Sequence, residues 1–171
     1  MDYIIFRAIN DLAGVSPLLD GIGQFLAVMG IFVLALMVLL AHSHRLRGIL
    51  EGACAAIIAL GVNTGIGIIA FRYRPFIAHE QVHLLIEKSG LDKSFPSDHT
   101  SLAFALATIL YMNNRKWGIA AYVLALFIGI GRIYVGVHYP TDILGGIVVG
   151  TLSGVLVWYG GKRLLSHKKF K

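Results

Sequence analysis

Apolar residues in this chain come in long unbroken runs, not in the alternation of a half-buried strand or the narrow stripe of a water-facing helix. Across residues 22–41 Gln24 is the only strongly polar side chain, and at about 1.5 Å per helical residue such a run crosses a hydrocarbon layer about 30 Å thick. Residues 49–71 form a second run containing Glu51, Asn63 and Thr64, with Glu51 near enough to one end to reach headgroups. A third covers residues 99–112 and is long enough if its helix starts near Pro96; a fourth covers 117–131 and is joined to the third through Asn113, Asn114, Arg115 and Lys116. Residues 143–161 carry no charge and complete the set. Ahead of them Ile4, Ile5, Ala8, Ile9 and Leu12 recur at helical spacing opposite Asp2, Arg7, Asn10 and Asp11. That pattern predicts a short helix lying in the interface, although a frayed terminus is equally compatible with it. The acids at Asp2, Asp11 and Asp20 and the late start of the first long run do not suit a cleaved leader. The expected fold is all-α: one polytopic membrane bundle over residues 1–171, with about five transmembrane helices and an N-terminal interfacial helix.

Composition agrees with a bilayer as solvent. The 171 residues are 57% hydrophobic and only 14% charged, which excludes a disordered chain and a water-soluble surface alike. Cys54 is the single cysteine and lies in an apolar run, so no intramolecular disulfide and no cysteine-rich metal knuckle can form. The net charge of +6 divides unevenly once loops alternate between two faces. One face collects Arg45, Arg47, Arg115, Lys116, Lys162, Arg163, Lys168, Lys169 and Lys171 against Glu51 alone, which makes it cytoplasmic. The other holds Arg7, Arg72, Arg74, Lys88, Lys93 and Arg132 with the remaining eight acids, a balance of about minus two. The positive excess is therefore mostly topology and calls for no nucleic-acid partner; membrane lipids are the surroundings expected. Gly61 with Gly65, and Gly146, Gly150 and Gly154, repeat at four-residue intervals inside spans, where small residues let helices approach. Trp117, Tyr134, Tyr139, Trp158 and Tyr159 fall near the expected interfaces as anchors.

Alternation brings three proline-marked segments to the acidic, outer face: Arg74-Pro75, Phe95-Pro96-Ser97-Asp98-His99, and the stretch from Arg132 through His138 to Asp142. Pro75 biases Arg74 away from helical geometry, whereas Pro96 and Pro140 suit first helical turns. Helix starts offer free amide donors and the positive end of the dipole. Arg74 and Arg132 add planar forks matched to phosphate oxygens, so the expected ligand is an anion. With Pro140 as first helical residue, Asp142 is the third, from which a carboxylate reaches back in a capping box. There it can accept a hydrogen bond from one His138 nitrogen, fixing the tautomer, and leave the other lone pair facing an electrophile, which makes His138 a candidate nucleophile. His99 is the candidate general acid and base, with Asp98 orienting it or a neighbour. Singly, these residues have plainer roles, as snorkelling arginines, solvated histidines or helix caps at Ser97 and Asp98. Their convergence is what marks a site. His99, His138 and Asp142 also suit iron or zinc, but Arg74 and Arg132 repel a cation, so neither metal nor cofactor is expected.

Arg74-Pro75, Pro96-Ser97-Asp98-His99 and Arg132 followed by His138 and Asp142 resemble the three signature motifs of the type-two phosphatidic acid phosphatase superfamily, over residues 63–150. The small size, Asp98 within the second motif and the run from Arg74 to His79 are similar to the bacitracin-resistance branch, the undecaprenyl-diphosphatases. The resemblance implies that His138 attacks phosphorus to form a phosphohistidine, Asp142 positions it, His99 protonates the departing group, and Arg74, Ser97 and Arg132 hold phosphate oxygens without a metal. Asp98 falls among the residues around the phosphate. One departure concerns the lysine that the family pattern carries seven residues before the first arginine: here that place is Gly67. Arg72 is a possible substitute and equally an interfacial snorkeler. The implied substrate is a polyprenyl diphosphate at the outward face of a bacterial plasma membrane, recycled for wall synthesis. Phosphatidylglycerophosphate, phosphatidate, and an anion transporter without hydrolysis are the alternatives. The loop over residues 76–93 reads as a solvated connector, with a pocket cover as the rival reading.

Overall fold

The computed structural model describes residues 1–43 and 46–168, with side chains through Arg163. The described residues form helices and turns with no strand: α1 (Asp2–Asn10), α2 (Pro17–Val28), α3 (Gly30–Ala41), α4 (Leu46–Ile69), α5 (Pro75–Ala78), α6 (Asp98–Asn113), α7 (Arg115–Tyr134) and α8 (Pro140–Lys168). Arg45, Lys169 and Lys171, on which the basic face partly rests, lie outside the described residues, as does the side chain of Lys168. The chain is an all-helical, multi-pass membrane protein.

The spans are less uniform than the hydrophobic runs predict. Three helices are singly long and apolar enough to cross a bilayer: Leu46–Ile69, Arg115–Tyr134 and Pro140–Arg163. The first predicted span is instead two helices, α2 and α3, bent by 53° at Met29–Gly30. Glycine is a common site for such a bend, and a β-carbon on Gly30 would collide with Ile128 of α7. At the break the Ala27 carbonyl turns to the Arg132 guanidinium, 3.1 Å away. The third predicted span, α6, has only 16 residues. It is buried on nearly every side by α3, α4, α7 and α8, from Thr100 and Ser101 through Leu110.

Small residues allow that central position. Ala103, Ala105 and Ala107 are fully buried, and the Gly146, Gly150 and Gly154 stripe of α8 lies directly on α6. A side chain at Gly150 would overlap the Ser101 carbonyl, and one at Gly154 the Thr108 side chain. Gly61 and Gly65 share that four-residue spacing but face open space, so the close-packing role expected for them does not hold. The α6–α7 hairpin closes as its sequence suggests: the Asn114 side chain accepts from the amides of Lys116 and Trp117 at 3.1 and 3.4 Å.

At the end of the bundle where α7 stops and α8 begins, α1 is docked, not frayed. Phe6 and Asn10 are buried, and Asn10 donates to the carbonyls of His83 and Tyr134 while accepting from the His83 amide. Residues 76–93 form a largely exposed strap, as expected of a connector, tied to the bundle at a few points. Leu85 donates its amide to the Val135 carbonyl at 3.2 Å, Gln24 donates to the Leu85 carbonyl at 3.0 Å, and the His79 ring stacks on Tyr3. Tyr139 is likewise no interfacial anchor: it is only 4% exposed, and the Arg72 guanidinium lies 3.7 Å over its ring.

Candidate active site

The helix starts deliver the three proline-marked segments to one place. Ser97 caps α6, its hydroxyl accepting from the Thr100 amide at 3.4 Å and from the Thr100 hydroxyl at 3.1 Å. Its own amide donates to the Asp142 carbonyl at 3.1 Å, tying the start of α6 to the first turn of α8. Asp142 reaches back to the Tyr139 amide at 2.8 Å, the geometry of an acid at the third helical position.

The Asp142 carboxylate is fully buried and crowded with donors. Oδ2 accepts from Ser94 Oγ at 2.6 Å and from Tyr139 N, while Oδ1 accepts from Arg72 Nη1 at 3.0 Å. His138 Nδ1 stands 3.4 Å from Oδ2, too far for a full hydrogen bond, and has no other partner among the described residues. The opposite nitrogen, Nε2, lies 3.2 Å from Arg74 Nη1, which also donates to the Val137 carbonyl at 3.0 Å. A proton on Nδ1 facing Asp142 leaves the Nε2 lone pair turned toward the arginine, the tautomer a nucleophile needs. Burial is the largest cause pushing His138 down to about 4; Asp142 opposes it, and the positive charges of Arg132 and Arg74 add to it. The imidazole is therefore neutral near pH 7.

Arg74 and Arg132 are 4% and 3% exposed. Each keeps an Nε–H with no acceptor among the described residues. Burial also pulls Arg74 below its ordinary value, while Asp92, Asp142 and Asp98 counter that pull. Two buried guanidiniums with unused donors, beside a buried imidazole, form a cup for an anion, since an unpaired buried donor costs free energy until something accepts from it. His99 occupies the second position of α6, directly after Asp98.

Asp98 Oδ1 accepts from Lys93 Nζ and Asn63 Nδ2, each at 2.8 Å, so this carboxylate is tied to the end of the 76–93 loop and to α4. Sequence reasoning missed Ser94, Lys93 and Asn63. Arg72, left undecided between site and snorkeler, clamps the site: besides Asp142 it bonds Thr141 Oγ1 at 2.7 Å and Asp2 Oδ2 at 2.7 Å. Its place two residues before Arg74 and the unexplained Gly67 were the available signals.

Residues 48–165 match the family model described as the PAP2 superfamily. The undecaprenyl-diphosphatase BcrC of Bacillus subtilis (strain 168) is 38% identical over 160 residues, covering 91% of this chain and 82% of that protein. The bacitracin transport permease protein BcrC of Bacillus licheniformis is 34% identical over 164 residues, covering 93% and 80%. Among solved structures, Aquifex aeolicus LpxE superposes with a TM-score of 0.78 at 28% identity, covering 92% of this chain and 94% of that one. The chain belongs to the PAP2 superfamily of membrane phosphatases.

Proposed function

We propose that this enzyme removes the terminal phosphate of a polyprenyl diphosphate, undecaprenyl diphosphate being the expected form, at the outward face of a bacterial plasma membrane. The observation that carries the reading is the pair of buried arginines with unused Nε donors beside the neutral His138 imidazole. The similarity to the undecaprenyl-diphosphatase BcrC of Bacillus subtilis supports the substrate. Arg47, Arg115 and Lys116 at the opposite end support the sidedness through the preference of basic loops for the cytoplasm.

In the reaction, Arg74 and Arg132 grip the terminal phosphate, and Ser97 Oγ, which only accepts in its present bonds, donates its remaining proton to a phosphate oxygen. The His138 Nε2 lone pair forms a bond to phosphorus as the bond to the bridging oxygen breaks, and His99 gives that oxygen a proton. The polyprenyl monophosphate leaves. His99 then takes a proton from water, whose oxygen attacks the phosphohistidine; the phosphorus–nitrogen bond breaks and inorganic phosphate departs. Asp142, fixed by Arg72 and Ser94, supports the charge that His138 carries meanwhile.

A transporter would need polar steps through the bundle, yet residues 143–161 carry no charge and α6 none beyond its first two positions. Phosphate release from undecaprenyl diphosphate and from phosphatidylglycerophosphate, by one detergent-purified sample, tests the reading. Faster release from the diphosphate is expected; none from it overturns the assignment. Vanadate should inhibit through its likeness to pentacoordinate phosphorus and a chelator should not. Activity lost to the chelator and restored by one metal would overturn the metal-free route.

A further inference from the structure

A carboxylate at the mouth of an anion site repels what the site must attract, and Asp98 is such a group, with 45% of its side chain exposed. Lys93 answers it. Its ammonium donates to Asp98 Oδ1 at 2.8 Å and to the Pro96 carbonyl at 2.9 Å, in a side chain 16% exposed. The lysine comes from the end of the strap and reaches its partners by laying its methylenes over Gly67 of α4, where any β-carbon would overlap the Lys93 Cδ. Asn63, one helical turn before Gly67, donates to the same oxygen. Gly67 is thus a cradle: a long side chain there and Lys93 contend for one space.

Lys93 also stands between two parts of the site. Inward, Arg74 and Arg132 are almost wholly buried around His138. On the other side an apolar groove of about 450 Å³ runs between α4 and α8, lined by Ile66, Phe95, Pro96, Leu144, Gly145 and Val148. Ile66 adjoins Gly67, and Pro96 supplies both groove wall and the carbonyl that Lys93 bonds. A lipid diphosphate has the same order of parts: chain, inner phosphate, terminal phosphate.

We propose that Lys93 binds the inner, unreacting phosphate of the substrate, its ammonium passing from Asp98 to that phosphate when the isoprenoid chain lies in the groove. This rests on the diphosphatase reading. It makes Lys93 the residue that separates diphosphate from monophosphate lipids, because a single phosphate held by the two arginines leaves nothing for Lys93 to take.

The test compares kcat and KM on undecaprenyl diphosphate and phosphatidate for wild type, Lys93→Met, Asp98→Asn and Lys93→Ala/Gly67→Lys. Loss of one charge-assisted contact predicts that Lys93→Met lowers the selectivity for diphosphate over phosphatidate about tenfold, through KM. Asp98→Asn, which frees the ammonium, should lower KM for the diphosphate. The double variant should regain most of the selectivity, since a lysine rooted at position 67 fills the same space. Equal losses on both substrates, a loss confined to kcat, or no loss from Lys93→Met would overturn the proposal by leaving Lys93 a structural tie. Wild type inactive on the diphosphate would instead overturn the reading beneath it.

Discussion

The two ends of the bundle both bury charge and use it in opposite ways. At one end, the inner one in the proposed orientation, Arg47 Nε donates to Glu51 Oε1 at 2.6 Å and Asn113 donates to Glu51 Oε2 at 3.3 Å, so the carboxylate is consumed by its neighbours. At the other, Asp142 is consumed in the same manner, by Arg72, Ser94 and the Tyr139 amide. Arg74 and Arg132 there retain unused donors. A protein that can close such a network at one end and leaves it open at the other has put a binding surface where the donors are spare. Buried ion pairs stabilise a fold weakly at best, so the inner set reads as structure and the outer set as recognition.

The sharpest way to break that contrast is to remove the proposed nucleophile. His138→Ala should lower phosphate release by at least about a thousandfold while the purified protein keeps its helical circular-dichroism spectrum. Near-normal release would move the chemistry elsewhere. Arg132→Lys keeps the charge and loses the fork, and should cost about a hundredfold in kcat/KM; a loss under threefold would mean that charge alone suffices.

The pH profile sharpens the comparison further. His138 is held down to about 4 by burial, so its neutral, nucleophilic form exists above that value and is lost as pH falls through it. The acid limb of kcat/KM should therefore bend near pH 4, not near the ordinary histidine value of about 6.5. A bend at the ordinary value would show an imidazole open to water. The smallest effect belongs to the inner end, where Glu51→Gln should leave kcat/KM within about twofold and lower the thermal midpoint by roughly 2–4 °C, since the Arg47 partner is half exposed.

Proline made most of the site legible in advance. Pro75, Pro96 and Pro140 mark three helix starts, and the two-residue step from Pro140 to Asp142 gives the backbone contact at Tyr139. Arg72 was illegible because its partners Asp2, Thr141 and Asp142 are each about 70 positions away, and nothing local separates a clamp from a snorkeling side chain. Lys93 was hidden similarly, since its meaning depends on a glycine in another helix. Hydrophobic runs gave length without straightness, so the bend at Met29–Gly30 did not show. Glycine spacing identified a face but not what that face meets, which is why Gly61 and Gly65 look outward while Gly150 and Gly154 lie against α6.

The shortness of α6 has a consequence for biogenesis. Its 16 residues extend about 24 Å, less than the hydrocarbon layer, and Thr100, Ser101 and Thr108 would meet lipid tails without helices around it. Translation delivers α8, whose glycine stripe covers that helix, only after α7. A chain halted after α7 therefore holds an undersized, partly polar segment that hydrocarbon tolerates poorly, and α8 covers that segment as well as supplying Asp142.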